Sequence, residues 1–374
     1  MTSAAQRTNL LGLPRQELIE LVAQLGSQPF RARQLMNWIY KRGIGSFALM
    51  SDLAKDFRAH LGRVAEVRTP EIRSVQRSAD GTRKWLLSAD ASQAFEMVFI
   101  PEEDRGTLCI SSQVGCALDC SFCSTAQQGF NRNLSTAEIV GQVWLAKREL
   151  AEFTAEQPVG DRRVVTNVVL MGMGEPLANF RNVVPALRLL LDDYGFDLSR
   201  RRVTLSTSGL VPQIYKLAQE TNVALAVSLH APDDELRNEL VPINRKHPIG
   251  ELLEACWHYI DEQNGRSVTF EYVMLDGVND SIAQAVSLAR LLRGRPAKVN
   301  LIPFNPYPGT RYRRSAAAAV QAFRDELIKR GVLATVRRTR GDDIDAACGQ
   351  LAGRVIDRTT ARLGSKHFTV SVQT

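Results

Sequence analysis

The sequence predicts an α/β fold, a partial (β/α)6 barrel behind an N-terminal helical accessory domain, and three observations predict it. Apolar residues recur at helical spacing through the N-terminal stretch. From Glu66 the period shortens to that of strands, and beyond residue 101 near-continuous apolar runs alternate with amphipathic ones, as in a parallel sheet covered by helices. Such units amount to about six, fewer than the eight that close a barrel, so a curved and partly open barrel is expected, with its ligands at the C-terminal ends of the strands.

The elements follow in order. "RQELIELVAQLG", "FRARQLMNWIYKRG" and "SDLAKDFRAHLG" read as helices of an accessory domain over 1–65. "EVRTPEIRSVQRSADGTRKWLLSAD" and "QAFEMVFIPE" read as strands of a β-hairpin extension over 66–101. The core barrel is expected over 102–340. Its strands are "GTLCISSQVG", "RVVTNVVLMG", "RRVTLSTSG", "NVALAVSLH", "SVTFEYVMLDG" and "AKVNLIPFNP". Helical stretches such as "STAEIVGQVWLAKREL" and "GELLEACWHYIDEQN" separate them. A C-terminal segment, 341–374, completes the chain.

Composition bounds the function. The chain has 374 residues, 44% hydrophobic and 23% charged, which suits a soluble globular protein with one large core and an accessory unit. No secretory leader pattern opens it and no run of about 18 apolar residues occurs, so a cytoplasmic protein with no membrane partner is expected. A net charge of +7 suits a polyanionic partner. Arginines cluster at Arg201 and Arg202, at Arg311 to Arg314, and at Arg337, Arg338 and Arg340. For any one cluster, solvated surface charge is an equally good reading.

Six cysteines in a reducing compartment point to metal binding or catalysis rather than a disulfide framework. Cys116, Cys120 and Cys123 crowd into "SSQVGCALDCSFCSTA". Structural zinc takes four closed ligands, commonly from two C-x2-C pairs, and no second pair exists here. A 4Fe-4S cluster takes one ligand per iron, so three cysteines leave one iron open to chelate a small molecule. That iron can hold the amino and carboxylate groups of S-adenosylmethionine, whose carbon–sulfur bond an electron from the cluster can break. Cys109 could instead close a four-cysteine zinc knot or electron-transfer cluster. Cys348 follows Asp345, a plausible cap, and opens an expected short helix whose N-terminus would lower its pKa; an inert buried thiol is the alternative. Cys256, inside "LLEACWHYI", reads as core. Glu96 in "AFEMVFI" is either a carboxylate entering an apolar site, with a raised pKa, or one pointing to solvent from the other strand face.

With "MGMGEPL" after the next strand, the cysteine triplet resembles the radical S-adenosylmethionine superfamily, whose glycine-rich loop would correspond to Gly174 and Glu175. "TLSTSG", "AVSLHAP", "IPFNP" and the tail "RTRGDDIDAACGQLAGRV" extend the resemblance, over nearly the full chain, to the RlmN/Cfr family of RNA adenine methyltransferases. The resemblance implies a radical SAM barrel with a 4Fe-4S cluster on Cys116, Cys120 and Cys123. It implies S-adenosylmethionine contacts at Gly174, Glu175, Ser206, Ser228, Leu229, His230 and Asn305. His230 taken alone would be a structural histidine.

The resemblance further implies methylation of adenine C2 in 23S rRNA and a subset of tRNAs, with Cys348 as the methyl-accepting thiol, Cys109 as the thiol that releases product, and Glu96 as proton acceptor. One S-adenosylmethionine methylates Cys348; a second, cleaved reductively, activates that methyl group for addition to C2. Release leaves a Cys109–Cys348 disulfide that must be reduced. An external electron donor and a monomeric enzyme are expected. Three alternatives stay open: methylation at adenine C8 by the sister activity of the family, a ferredoxin-like electron carrier, and a zinc-dependent RNA-binding module.

Overall fold

The computed structural model describes residues 7–153, 163–263 and 267–359. The ends of the expected accessory and C-terminal segments, 1–6 and 360–374, lie outside the described residues. The N-terminal unit runs β1 (Thr8–Asn9), α1 (Arg15–Gln24), α2 (Phe30–Met36), a π-helical turn (Asn37–Lys41), α3 (Lys55–Val64) and β2 (Ala65–Glu66), with β1 and β2 paired in parallel. Three antiparallel strands follow, β3 (Ile72–Arg77), β4 (Arg83–Ser88) and β5 (Ala94–Pro101). β5 then pairs antiparallel with β6 (Gly106–Cys109), so the strands of the expected extension belong to the main sheet.

The stretch read as one strand, "GTLCISSQVG", breaks after Cys109. Its second half, β7 (Gln113–Gly115), leaves the main sheet and pairs antiparallel with β8 (Phe130–Asn133). The cysteine loop and the short α4 (Ser124–Gln127) lie between those two strands. The alternation then proceeds: α5 (Thr136–Glu149), β9 (Asn167–Leu170), α6 (Phe180–Leu191), β10 (Val203–Thr207), α7 (Val211–Glu220), β11 (Ala224–Ser228), α8 (Asp234–Leu240) and α9 (Ile249–Glu262). It closes with β12 (Val268–Met274), α10 (Ile282–Leu291), β13 (Ala297–Pro303), α11 (Ala317–Lys329) and β14 (Leu333–Val336). Capping boxes at Ser135/Glu138 and Ser281/Gln284 start α5 and α10, each side chain satisfying the other residue's free backbone N–H.

The main sheet has the order β14-β13-β12-β11-β10-β9-β6-β5-β4-β3, parallel from β14 to β6. All six expected parallel strands are present, and β14 adds a seventh. That strand is four residues long and mostly exposed, an edge strand too short and too polar in its surroundings to stand out in the sequence. The sheet ends in two edges, β3 and β14, and so remains an open barrel.

One hydrophobic core joins the N-terminal unit to the sheet: Leu10, Leu18 and Leu35 belong to the same packed cluster as Leu108, Leu205 and Phe270. Cys256 is fully buried in it. No helix among the described residues is long and apolar enough to cross a membrane.

Candidate active site

The C-terminal ends of the parallel strands surround a cavity of about 160 Å³. Cys116, Cys120 and Cys123 form one wall, and Gly174, Glu175, Ser206, Ser228, His230, Arg337 and Cys348 contribute to the rest. The cavity shares Met171, Glu271, Ile302, Arg337 and Cys348 with a polar lumen of about 1110 Å³ bordered by Thr204, Thr269, Lys298 and Asn300. Alternation along the strands produces that lumen, since every second residue faces inward.

The cysteine loop is held at both ends. Gly115 has φ +77°, and a Cβ there would lie 2.0 Å from the Gly129 carbonyl oxygen, so the turn into the loop requires glycine. Cys116 N donates to that same oxygen at 2.8 Å. Cys123 N donates to Cys120 O at 3.2 Å, and Cys123 is the N-cap residue of α4. Burial, then the neighbouring thiols, push Cys116 and Cys120 above the ordinary cysteine range; burial does the same to Cys123. Such thiols ionise readily only when a cation takes them. A 4Fe-4S cluster puts each thiolate on a different iron, and three cysteine thiols lining one cavity fit that donor set.

Gly174 has φ +97°, and a Cβ there would fall 2.4 Å from Gln113 Cβ. Glu175 is buried; its Oε1 accepts from Leu177 N at 3.0 Å and its Oε2 from Ser208 N at 2.8 Å. Burial raises its pKa against the lowering effect of those bonds. This carboxylate ties the loop after β9 to the loop after β10. Ser206 and Ser228 are half-buried on the cavity wall. Leu229 is fully buried and acts through its backbone, its N donating to Glu271 O at 3.0 Å. His230 Nδ1 accepts from Val273 N at 3.0 Å, which leaves the ring proton on Nε2, and Phe122 packs edge-on at 4.6 Å. Asn305 Nδ2 donates to Cys348 O at 3.2 Å, so Asn305 meets the segment that carries Cys348.

Cys109 ends β6, and burial followed by the Cys348 thiol pushes its pKa up to about 12. Arg337, just past β14, feels Cys348, Glu271 and Cys109 together. No helix begins at Cys348, contrary to expectation: Asp342–Ile344 is a single 3-10 turn, Asp345 closes it in the left-handed region, and Cys348 lies in the turn beyond. The charge beside Cys348 is therefore the Arg337 guanidinium, not a helix end. Nor is there a disulfide, since all six cysteines are free.

Glu96 is buried on β5 but is not among the residues lining the cavity. Its Oε1 pairs with Lys84 Nζ at 3.3 Å and its Oε2 accepts from Ala352 N at 2.9 Å. The cavity carboxylate that sequence reasoning missed is Glu271, raised by burial and held by Asn300 Nδ2 at 2.8 Å. The signal was present, for Glu271 stands alone among apolar neighbours in "VTFEYVM" as Glu96 does in "AFEMVFI". Several clustered arginines have local partners: Arg311 with Glu239, Arg313 with Asp276, Arg340 with the Pro101 carbonyl and Asp80.

Residues 8–67 match the family described as Ribosomal RNA large subunit methyltransferase N-terminal domain, and residues 110–289 match the Radical SAM superfamily. A radical SAM methyltransferase from Sphaerobacter thermophilus is 45% identical, with a TM-score of 0.84 over 92% of this chain and 99% of that one. A point mutant of spore photoproduct lyase is 14% identical over 87% of this chain and 95% of its own, with a TM-score of 0.42. A domain of pyruvate-formate lyase-activating enzyme from Bacteroides vulgatus is 18% identical over 46% and 99%, with a TM-score of 0.35. The last two likenesses are too low to carry a conclusion.

Proposed function

The chain belongs to the RlmN-type radical S-adenosylmethionine methyltransferases, and from that membership we propose that it methylates C2 of one adenosine in 23S ribosomal RNA and in a subset of transfer RNAs, through a methyl group carried on Cys348. The observation that supports the proposal is that Cys348 lines the same cavity as the cysteine triplet and Arg337, with the buried thiol of Cys109, at the end of β6, near enough to feel both Cys348 and Arg337. A plain electron carrier has no use for that arrangement. Its parts are the accessory domain (1–65), the hairpin extension (66–101), the core barrel (102–340) and the C-terminal segment (341–374). It works as a cytoplasmic monomer with an external electron donor.

Adenine C2 lies between two ring nitrogens and is electron-poor, so it cannot attack an electrophilic methyl group. Cys116, Cys120 and Cys123 would hold a 4Fe-4S cluster, which would supply the electron for reductive carbon–sulfur cleavage of S-adenosylmethionine and, with it, hydrogen abstraction. The chain does the rest. Gly174, Glu175, Ser206, Ser228, Leu229 and His230 shape the S-adenosylmethionine site. Cys348 would take a methyl group by displacement from one S-adenosylmethionine, which leaves as S-adenosylhomocysteine, with Arg337 beside the sulfur and Asn305 fixing its backbone. Once that carbon has joined C2, and C2 has given up its hydrogen as a proton with one electron returning to the cluster, Cys109 would attack the Cys348 sulfur. The carbon–sulfur bond breaks, the carbon takes a proton, and the two thiols are left bridged until an external two-electron reductant reopens them. The target base must leave its stack to reach the cavity.

The test maps the methylated atom in RNA and separates the two thiols. Mass spectrometry of RNA from the reconstituted enzyme should find 2-methyladenosine; 8-methyladenosine would assign the sister activity instead. Cys348→Ala should leave RNA free and unmodified, whereas Cys109→Ala should accumulate nuclease-sensitive RNA on the protein in a denaturing gel. A covalent adduct from Cys348→Ala, or normal turnover by Cys109→Ala, would reassign the roles.

A further inference from the structure

Arg237 on α8 is fully buried. A buried charge ordinarily has a partner of opposite sign. Its hydrogen bonds go to neutral acceptors only: Nε to Leu229 O at 3.1 Å, Nη1 to Asn244 Oδ1 at 2.7 Å, and Nη2 to the carbonyls of Ser208 at 2.7 Å and Ser228 at 3.0 Å. Asp234, a turn earlier, is near enough to be felt, but its Oδ1 accepts from Asn244 Nδ2 at 2.9 Å and from Ile249 N at 2.8 Å.

The guanidinium is bonded to the wall of the cavity. Ser208, whose carbonyl takes Nη2, lines that cavity with Cys120 and gives its N–H to Glu175. At the other end of α8, Leu240 O accepts from Ser121 N at 3.1 Å, beside Cys120. Ser228, whose carbonyl also takes Nη2, lines the same cavity as Cys120.

We infer that Arg237 is a built-in counter-charge for the iron-sulfur cluster, a positioning residue whose unmatched guanidinium behind Cys120 favours the reduced cluster. The inference rests on the cluster assignment to Cys116, Cys120 and Cys123. A 4Fe-4S core on three thiolates carries a net negative charge that grows on reduction, so a fixed positive charge in a low-dielectric setting stabilises the reduced state more than the oxidised one. A purely mechanical role, pinning the loops after β10 and β11 by their carbonyls, predicts something different, because it depends on the planar fork and not on the charge.

Lysine keeps the charge without the fork, and glutamine keeps polar contacts without the charge. Wild type, Arg237→Lys and Arg237→Gln are reconstituted anaerobically, assayed for iron, and titrated by electron paramagnetic resonance at a series of fixed potentials without S-adenosylmethionine. At a potential where wild type is half reduced, Arg237→Gln should show a reduced-to-oxidised ratio at least ~10-fold lower, about 59 mV for one electron. Arg237→Lys should stay within about threefold of wild type, as a charge-based effect requires. Equal potentials for wild type and Arg237→Gln overturn the inference and leave the cluster standing. If Arg237→Gln fails to fold, Arg237→Lys decides alone: a wild-type potential supports the counter-charge, while a folded protein that takes up no iron, or one shifted about 10-fold, overturns it. Wild type that takes up no iron overturns the cluster assignment and the inference together.

Discussion

His230 holds φ at +61°, a backbone region that suits asparagine and glycine better than histidine, and it is nearly fully buried there. Burial, then the Arg237 charge, lowers its pKa from the ordinary value to about 3. The ring is therefore neutral in the folded chain and takes a proton on unfolding at mildly acidic pH. Because the folded pKa is the depressed one, the stability from a neutral His230 is present above about pH 6.5 and is lost as pH falls toward 3. The loss should approach about 1.4 kcal/mol per pH unit in that window. His230→Asn keeps an acceptor for Val273 N and removes the titration. Urea midpoints of both proteins, metal-free, at pH 7, 6 and 5 should give a shallower pH slope for the variant. The raised carboxyl groups of Glu175 and Glu271 act in the opposite direction, but in both proteins alike, so the difference in slope isolates His230. Identical slopes would mean that the ring is protonated in the folded chain.

The segment around Cys348 has little regular structure of its own, and other elements hold it. Lys84 Nζ donates to Asp345 O at 3.1 Å, and Glu96 accepts from Ala352 N. Gly349 O accepts from Ser124 N at 2.9 Å, Leu351 O from Thr125 Oγ1 at 2.7 Å, and Arg354 bridges to Ala94. Glu96 thus clamps the segment that carries Cys348. The sequence shows an isolated carboxylate on an apolar strand, but its partner lies 256 residues away, and no local pattern reports such a contact. Arg337 was legible only as a basic cluster for the same reason, since β14 is what turns it toward the cavity. Glu96→Gln leaves Lys84 buried without its counter-charge, which should cost about 3 kcal/mol or more. Hydrogen exchange across 345–357 should accelerate, and Glu96→Gln with Lys84→Met should recover much of the protection. Unchanged exchange with methylation abolished would return Glu96 to proton transfer.

Over the whole molecule, strand and helix order was legible because each element carries its own period, and the strand-end loops follow from that order. How the N-terminal unit joins the sheet was not legible, because the join depends on single contacts between distant segments. The π-helical turn Asn37–Lys41 contains Ile39, whose carbonyl accepts from Trp144 Nε1 at 2.8 Å. A wider turn changes which carbonyls find partners inside the helix, and this one has a side-chain donor from α5. Tyr40 OH donates to Leu11 O at 2.9 Å in the same seam. With one continuous core across the join, the described parts should unfold together rather than unit by unit. Urea denaturation followed by fluorescence and by circular dichroism should give coincident single transitions. Trp144→Phe keeps an aromatic ring against Phe153, centred 5.5 Å from the tryptophan in the native chain, but leaves the Ile39 carbonyl without its donor. That should cost about 1–3 kcal/mol and move the midpoint without changing the slope. Two resolved transitions, with only the earlier one sensitive to Trp144→Phe, would show that the N-terminal unit is a separate folding domain.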